Sequence, residues 1–361
     1  SVIVILSTLM VGKQLQYIQH VNLGYDKENL VCVSPNGNIN ENFEPFKNEV
    51  LNSGYVAGLT RSNALNASSL GSTEGINWSG KQGKFSSWII NVDDDFVSTY
   101  GIKMKEGRFY SKDYSSDQTS GFVINNEAVK EMGFTDPVGH DLEVWGRKGK
   151  IIGVTEDFNF RSLHNKIEPI IFYLPKQSEV NFRCRTITFK LKPNSLTQGV
   201  DFIQHSWHTY FPDEVFNFYF VDDKLNASYL SDLRIGSLFR YFSFLAIFIA
   251  CLGLYGLTAF TVEQKNKEIG VYKVFGAKVS QVLYRFSATY VKWILLSNLV
   301  ALPVGYYFMA SWLNNFAYKA SVSVWPFVIT VVVTISLALL TIIGQTFHAA
   351  IRNPVEALRY E

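Results

Sequence analysis

The sequence lacks a strong excess of either charge and contains few cysteines. Its 361 residues include 33 Lys and Arg against 31 Asp and Glu, which gives a formal net charge of +2. Proteins that bind nucleic acids neutralise phosphates with clustered basic residues, so this balance argues against a nucleic-acid partner. The three cysteines, Cys32, Cys184 and Cys251, are too few for a disulfide framework.

The sequence also lacks a motif for catalysis or metal binding. Residues 75–81 have the spacing of a phosphate-binding loop, but Gln82 replaces the Ser or Thr that would hold magnesium, and no helix is predicted to follow. Asp93–Asp95 lacks the spacing and the glycine of an EF-hand and is typical of a solvated turn or helix cap. His205 and His208 can share a helix face, but no third ligand accompanies them. We therefore predict no catalytic residue, no metal site and no cofactor, and hence no enzyme.

Long apolar runs are present, although the mean hydropathy of +0.07 resembles that of a soluble protein. Residues 241–262 and 324–347 contain no charged residue, and residues 290–310 contain only Lys292. About 20 apolar residues span the ~30 Å hydrocarbon core of a bilayer as a helix, so these runs predict three transmembrane helices. The apolar opening, residues 1–12, is too short to span and has no basic signal-peptide region. We expect it to be the end of a truncated first transmembrane helix.

The charges of the loops predict the orientation of these helices. Residues 263–285 contain five basic and two acidic residues, whereas residues 311–323 contain a single charge, Lys319. We therefore expect 263–285 and the tail 351–361 to be cytoplasmic. The polar block 13–235 then lies outside.

The polar block predicts an α/β domain of two subdomains. Its two ends each predict strands around a helix, and its middle predicts a separate group of strands and short helices. We therefore expect one α/β subdomain built from both ends and a second, mixed subdomain inserted at about 75–175, with a helical stalk leading into the membrane. The predicted elements of the subdomain built from both ends are strands at 30–35, 55–65, 185–192 and 216–223 and helices at 42–54 and 196–211.

A helical apolar stripe begins in the segment 263–278 and continues to Val282. Its members recur at intervals of three or four residues and are Ile269, Tyr272, Phe275, Val279 and Val282. Most of the lysines lie off this stripe, which predicts a short amphipathic helix along the membrane surface, with Gly276 as its terminator. A plain positively charged loop without a partner is the alternative interpretation.

Small residues lie on one face of the predicted helix 241–262. Ala246, Ala250 and Gly253 would permit the close approach of another helix, either in a second copy or within the same four-helix group. Asn298, which is isolated in the span 290–310, predicts a contact between helices rather than a contact with a substrate.

Several segments together resemble the MacB/FtsX family of ABC transporter permeases. KEIGVYKVFGAKVSQVLYRF (267–286) resembles that family's cytoplasmic motif, and AAIRNPVEALRYE (349–361) resembles its C-terminal end. Residues 122–142 and 149–172 resemble parts of its periplasmic core domain. The resemblance covers essentially the whole chain. Within this family, the chain is similar to the second four-helix module of permeases from Bacteroidetes-type bacteria.

This resemblance implies an FtsX-like permease domain at 236–350 and a periplasmic core domain at 13–235, in the bacterial inner membrane. It implies efflux by mechanotransmission, driven by a cytosolic ABC ATPase on a separate chain that holds ATP and magnesium. Further implied partners are the lipid bilayer, a second permease module or copy, and a periplasmic adaptor. The implied ATPase-coupling residues are Lys267, Glu268, Ile269, Gly270, Tyr272, Lys273, Phe275, Gly276 and Ala277.

Two alternatives use the same scaffold, namely a regulator of cell-wall hydrolases and a lipoprotein-releasing permease. A ligand sensor is a rival from another class. It would need a cytoplasmic output domain, which the short segment after residue 347 does not supply.

Overall fold

The computed structural model describes residues 1–63, 71–176 and 179–351. The chain divides into two compact units. We call residues 1–20 and 230 onward the helical unit, and residues 21–229 the sheet unit. The family-like C-terminal residues from Asn353 to Arg359 lie outside the described part of the chain.

The helical unit contains four helices that are long and apolar enough to cross a membrane, among the residues described. Numbered in chain order with the elements of the sheet unit, its helices are α1 (Val2–His20), α9 (Leu230–Gln264), α10 (Asn266–Val274), α11 (Val279–Leu313) and α12 (Trp325–Ile351). All of these helices except α10 are candidate membrane spans. The structure thus confirms the predicted class of a membrane α-helical protein with an α/β domain.

Helix α1 continues past the apolar run 1–12, because a polar residue in its second half has partners. Gln14 is fully buried, and its side chain accepts a hydrogen bond from Ala320 N at 2.7 Å and donates one to Tyr318 O at 3.0 Å. The helix ends at His20, and the boundary of the helical unit follows residue 20, whereas the sequence predicted that the first transmembrane segment ends at residue 12.

Helix α1 also contacts each of the other three long helices. Leu6 and Met10 of α1 are buried in an apolar cluster with Met309 of α11. On another face, Thr8 Oγ1 and Ser243 Oγ share a hydrogen bond of 2.6 Å between α1 and α9. The first helix is therefore an integral part of this bundle.

The sheet unit contains two sheets and several short helices. Its described strands are β1 (Leu30–Val33), β2 (Val56–Ser62), β3 (Ser72–Thr73), β4 (Ile76–Trp78), β5 (Ser87–Asn91), β6 (Met104–Gly107), β7 (Gly121–Asn125), β8 (Asp141–Val144), β9 (Arg147–Thr155), β10 (Ile170–Tyr173), β11 (Thr186–Leu191) and β12 (Phe218–Phe220). Its described helices are α2 (Asn40–Asn52), α3 (Phe96–Tyr100), α4 (Asp117–Ser120), α5 (Asn126–Met132), α6 (Val180–Arg183), α7 (Leu196–Tyr210) and α8 (Val221–Ser228). The predicted stalk is thus broken at Tyr229, between α8 and α9.

The first sheet has four antiparallel strands in the order β12-β1-β11-β2. Helices α2 and α7 contact each other, and their buried residues share one apolar core with the strands. Phe46 and Trp207, both fully buried, meet edge to face with ring centroids 5.7 Å apart. The chain leaves this subdomain after β2 and returns to it at β11.

The second sheet has eight strands in the order β3-β5-β10-β7-β9-β8-β4, with β6 paired to β9. Its terminal strands β3 and β4 are separated in sequence only by Glu74 and Gly75. The sheet must therefore curl so that its two ends approach each other. Trp145, after β8, donates a 3.0 Å hydrogen bond from Nε1 to Thr73 Oγ1 in β3 across this closure.

The two sheets are joined between β2 and the end of β5. Ser62 and Val92 form an antiparallel bridge, and Asn63 N donates to Asn91 O at 3.2 Å. Asp93 N also donates to Arg61 O at 3.1 Å. Backbone hydrogen bonds therefore fix the joint between the subdomains.

Candidate functional site

Helix α10 and the turn after it form the candidate site, which connects α9 to α11. Helical hydrogen bonding continues from α9 into α10, since Lys265 N donates to Thr261 O at 3.0 Å and Ile269 N donates to Lys265 O at 3.0 Å. The connection at this end of α9 is therefore short and well bonded.

A glycine ends α10. Gly276 has a φ of 85°, a left-handed conformation that favours glycine, and Ala277 N donates to Tyr272 O at 3.0 Å. Lys278 N then donates to Gln281 Oε1 at 3.0 Å where α11 begins. The prediction that Gly276 terminates the helix agrees with this geometry.

Among the side chains of α10 that the structure describes, Ile269 anchors the helix to its neighbours. Ile269 is only 2% exposed and belongs to a buried apolar cluster with Val262 of α9 and Val282 of α11. Val279 packs against the same cluster. Val262 was not among the predicted site residues. Its position seven residues before Ile269, about two helical turns, is the sequence signal that could have indicated it.

The predicted apolar stripe does not form a single face. Phe275 is 85% exposed and Val274 is 65% exposed, whereas Ile269 is buried. Ile269 of α10 packs with Val279 and Val282 of α11 across the turn at Gly276, whereas Phe275, which follows the end of α10, does not join them. The result is an anchored helix whose C-terminal end presents apolar side chains to the outside.

Charged and polar side chains flank these apolar residues. Lys265 and Glu268 form an ion pair of 3.4 Å, and both side chains are about half exposed. The Arg285 guanidinium lies 4.9 Å from the centre of the Tyr272 ring. Of the remaining predicted coupling residues, Ala277 is half-buried in the turn. Lys267, Gly270 and Lys273 lie within α10, and the side chains of the two lysines lie outside the described part of the chain.

The predicted small-residue face of α9 lacks a packing partner in the described helices at two of its three positions. Ala246 is half-buried, but Ala250 and Gly253 are exposed, and a Cβ at Gly253 would meet no described atom within 4 Å. Close approach occurs instead at Gly236, where a Cβ would lie 2.8 Å from Leu15 Cδ1 of α1. Contact of the predicted face with a second protein stays a prediction.

The predicted contact of Asn298 with another helix is confirmed. Asn298 Nδ2 on α11 donates to Thr334 Oγ1 on α12 at 3.3 Å and to Ile294 O at 2.9 Å. Both residues lie inside the long apolar helices, where a hydrogen bond between helices satisfies polar atoms away from water.

Two segments of the sheet unit for which the sequence predicted no function form contacts with other residues. Lys81, from the segment that resembles a phosphate loop, donates from Nζ to Ile76 O at 2.6 Å. The prediction of a solvated turn or helix cap at Asp93–Asp95 is partly confirmed, because Asp95 is the N-cap residue of α3. All three residues are nevertheless half-buried, and their carboxylates lie close together. Lys47 pairs with Asp95 in this cluster.

Two family models match this chain. Residues 1–201 match the model of the MacB-like periplasmic core domain, and residues 240–354 match the model of the FtsX-like permease C-terminal domain. The first match covers more than half of the 361 residues.

Similar proteins are transport permeases by name. The macrolide export ATP-binding/permease protein MacB of Bartonella quintana is 21% identical over 210 residues, which are 55% of this chain and 31% of that protein. The uncharacterized ABC transporter permease YknZ of Bacillus subtilis is 21% identical over 288 residues, which are 76% of this chain and 70% of that protein. MacB of Sodalis glossinidius is 24% identical over 295 residues, and the match covers 43% of that protein. The chain thus spans less than half the length of these two MacB proteins.

Among solved structures, the periplasmic region of MacB from Actinobacillus actinomycetemcomitans aligns with a TM-score of 0.40 and 16% identity. The alignment covers 57% of this chain and 94% of that chain. The extracellular domain of the transporter YknZ aligns with a TM-score of 0.38 and 10% identity, over 53% of this chain and 98% of that one.

Proposed function

Because this chain belongs to the MacB/FtsX family of ABC transporter permeases, we propose that it transmits conformational change from a separate cytosolic ATPase to its sheet unit. The sheet unit would be periplasmic and the helical unit would lie in the bacterial inner membrane. ATP and magnesium would be held by the ATPase, and the permease would act with a second module or copy and a periplasmic adaptor.

One observation carries this proposal, namely that α10 is fixed on one side and exposed on the other. Ile269 holds α10 against α9 and α11, so a displacement of α10 must move both long helices or break a buried contact. Phe275 and Val274 remain free of cover by the described chain and form the surface that an ATPase would contact. Aromatic residues at the centre of a contact often contribute most of its binding energy.

The mechanism follows from this arrangement. ATP binding would close the ATPase subunits and push α10, and the ATPase would supply the free energy by favouring one conformation of the permease. The long helices would carry the shift across the membrane to the sheet unit. No cargo needs to pass between the helices in this scheme.

Labelling from the two sides of the membrane tests the orientation. Phe275→Cys and Val215→Cys place thiols at residues that are 85% and 76% exposed, in the helical and sheet units respectively. A membrane-impermeant maleimide should label Val215→Cys in intact cells and Phe275→Cys only after the inner membrane is permeabilised. Labelling of both in intact cells would place α10 outside and end the proposal. A Cys251→Ala background removes the one native cysteine that is not fully buried.

Co-purification tests the partner. The chain would be expressed with each candidate ABC ATPase of the source bacterium, and Phe275→Ala would be compared with Phe244→Ala, at an exposed phenylalanine (73%) within the apolar part of α9. We expect Phe275→Ala to lose ATPase and Phe244→Ala to retain it. Equal recovery of ATPase with wild type and Phe275→Ala would reject contact at this surface.

A further inference from the structure

One segment of the sheet unit, residues 157–164, contacts both ends of that unit. We call it the bridging segment; it follows β9 and precedes β10. The entry connection is formed by residues 21–26, which follow α1, and the exit connection is Tyr229, which lies between α8 and α9. The two connections stand at opposite ends of the sheet unit in sequence, so chain continuity does not require them to meet at one segment.

The bridging segment is fixed to the second sheet. The fully buried ring of Phe158 stacks on that of Phe172 in β10, with ring centroids 6.0 Å apart. The carboxylate of Asp157 accepts hydrogen bonds of 2.8 Å from Asn126 Nδ2 and of 2.8 Å from Glu127 N, at the start of α5. A displacement of the bridging segment must therefore move the inserted subdomain or break these contacts.

The entry connection lies directly against the bridging segment. Asn159 N donates a hydrogen bond of 2.7 Å to the carbonyl oxygen of Leu23, whose side chain is 6% exposed. Gly24 has a φ of 83°, and a Cβ at this position would lie 2.7 Å from Asp157 O and 2.8 Å from Phe158 Cα. The backbones are thus so close at this point that only glycine fits without displacement.

The exit connection reaches the same segment through one side chain. Tyr229 is 7% exposed, and its hydroxyl oxygen accepts a hydrogen bond of 2.8 Å from Leu163 N. The imidazole of His164 stacks on the Tyr229 ring, with centroids 6.0 Å apart and planes inclined by 23°. The residue that directly precedes α9 is therefore held by the bridging segment.

The two attachment points are close enough to act together. Asn159 and Leu163 are four residues apart in one continuous chain, so their Cα atoms are separated by at most about 14 Å. Leu163 is fully buried, and a buried N–H that loses its acceptor is costly. A displacement of Tyr229 must therefore carry the bridging segment with it or leave this N–H without a partner.

We propose that the bridging segment couples the entry connection to the exit connection, so that loosening one loosens the other. Coupling of this kind travels through packed side chains and hydrogen bonds that are continuous between the two points. Its use in transport rests on the proposed function, in which α1 and α9 would deliver one combined displacement to the inserted subdomain. The coupling itself is a property of the sheet unit and needs no ATPase.

Gly24→Ala tests the coupling from the entry side, with hydrogen exchange measured by mass spectrometry on the full chain in detergent. Gly54→Ala is the matched control, because Gly54 has a φ of 82° but a Cβ there would meet no described atom within 4 Å. We expect exchange at least about fivefold faster than in wild type at 157–164 and also at 221–229 in Gly24→Ala, and no change at either in Gly54→Ala.

Tyr229→Phe tests the coupling from the exit side. It removes the acceptor of Leu163 N and keeps the aromatic ring, so exchange should be at least about fivefold faster at 157–164 and at 21–26. Tyr210→Phe is the control, because it removes a hydroxyl that donates to Glu49 Oε2 at 2.9 Å elsewhere in the sheet unit. It should leave both segments unchanged.

Three results would overturn the proposal. The first is unchanged exchange at 157–164 in both Gly24→Ala and Tyr229→Phe. The second is faster exchange at 157–164 without faster exchange at the opposite connection. The third is equal acceleration in α7, which would show a general loss of stability. Because the measurement uses the permease alone, its outcome is separate from that of ATPase co-purification, which tests the proposed function.

Discussion

Replacing Ile269 and Phe275 separately by alanine distinguishes an anchoring residue of α10 from a contact residue in the turn directly after it. Ile269 is 2% exposed and packs between α9 and α11. Truncating a buried isoleucine to alanine removes apolar contacts, leaves a cavity and costs about 2–5 kcal/mol. Most of this loss should fall on the docking of α10, because the remaining members of its small cluster lie on other helices.

The magnitude sets the expected readout. A local destabilisation of about 2–4 kcal/mol increases the open population of α10 by roughly 30-fold to 1,000-fold. Hydrogen exchange measured by mass spectrometry on peptides from 266–274 should therefore accelerate by this factor in Ile269→Ala. Phe275→Ala should leave exchange unchanged, because substitution of an exposed side chain usually alters stability by less than about 0.5 kcal/mol.

Affinity for the ATPase should respond in a different way. If Phe275 is a central contact, its truncation should cost about 2 kcal/mol of binding free energy, or a roughly 30-fold higher Kd. Ile269→Ala should weaken binding only through the undocking of α10. Unchanged exchange in Ile269→Ala would refute the anchoring role, and unchanged affinity in Phe275→Ala would refute the contact role.

Three further changes test other parts of the structure. Gly276→Ala places a Cβ at a φ of 85°, which should cost about 1–2 kcal/mol of stability at the end of α10. Hydrogen exchange should then show a shorter protected part of α10. The control Gly253→Ala should leave both the stability and the protection of α10 unchanged. Gln14→Leu should leave Ala320 N and Tyr318 O without their partner; we expect a loss of about 2–4 kcal/mol in unfolding free energy, and a Tm equal to wild type would contradict it. Burial raises the pKa of Asp93 to about 7, against 3.8, which means that the native state holds a proton that the unfolded state releases. The stabilisation that this proton contributes to the sheet unit should therefore be complete below about pH 4 and be lost, by up to about 4 kcal/mol, as the pH rises through about 7. The difference in unfolding free energy between wild type and Asp93→Asn, measured against pH, isolates this contribution.

Local periodicity predicted much of the fold. The strand expected at 185–192 is β11 and the helix expected at 196–211 is α7, since both have an apolar face that repeats with the period of their element. The three long apolar runs likewise correspond to α9, α11 and α12. Strands β3 and β4 have two and three residues, which is too few to show a period. Their positions follow only from the closure of the second sheet.

The candidate sites were less accessible to sequence reasoning. The stripe that includes Ile269 and Phe275 was read with one helical period, but α10 ends at Val274, and Phe275 lies exposed in the turn that follows. The bridging segment brings together Leu23 and Tyr229, which lie at opposite ends of the sheet unit in sequence. No local pattern relates residues so far apart in the chain. Only the fold of the sheet unit places both connections at one segment.

The two helices attached to α10 differ in how they can transmit a displacement. Helix α9 has 35 residues without an internal proline and is about 52 Å long at 1.5 Å per residue, so it exceeds the ~30 Å hydrocarbon core. Helix α11 has the same number of residues but contains Pro303, which removes one helical hydrogen bond. Under the proposed mechanism, a push on α10 is therefore carried to the far side of the membrane mainly by α9, whereas α11 can bend at Pro303. Because Thr8 and Ser243 join α1 to α9 near that far end, α1 must move with α9 or lose this hydrogen bond.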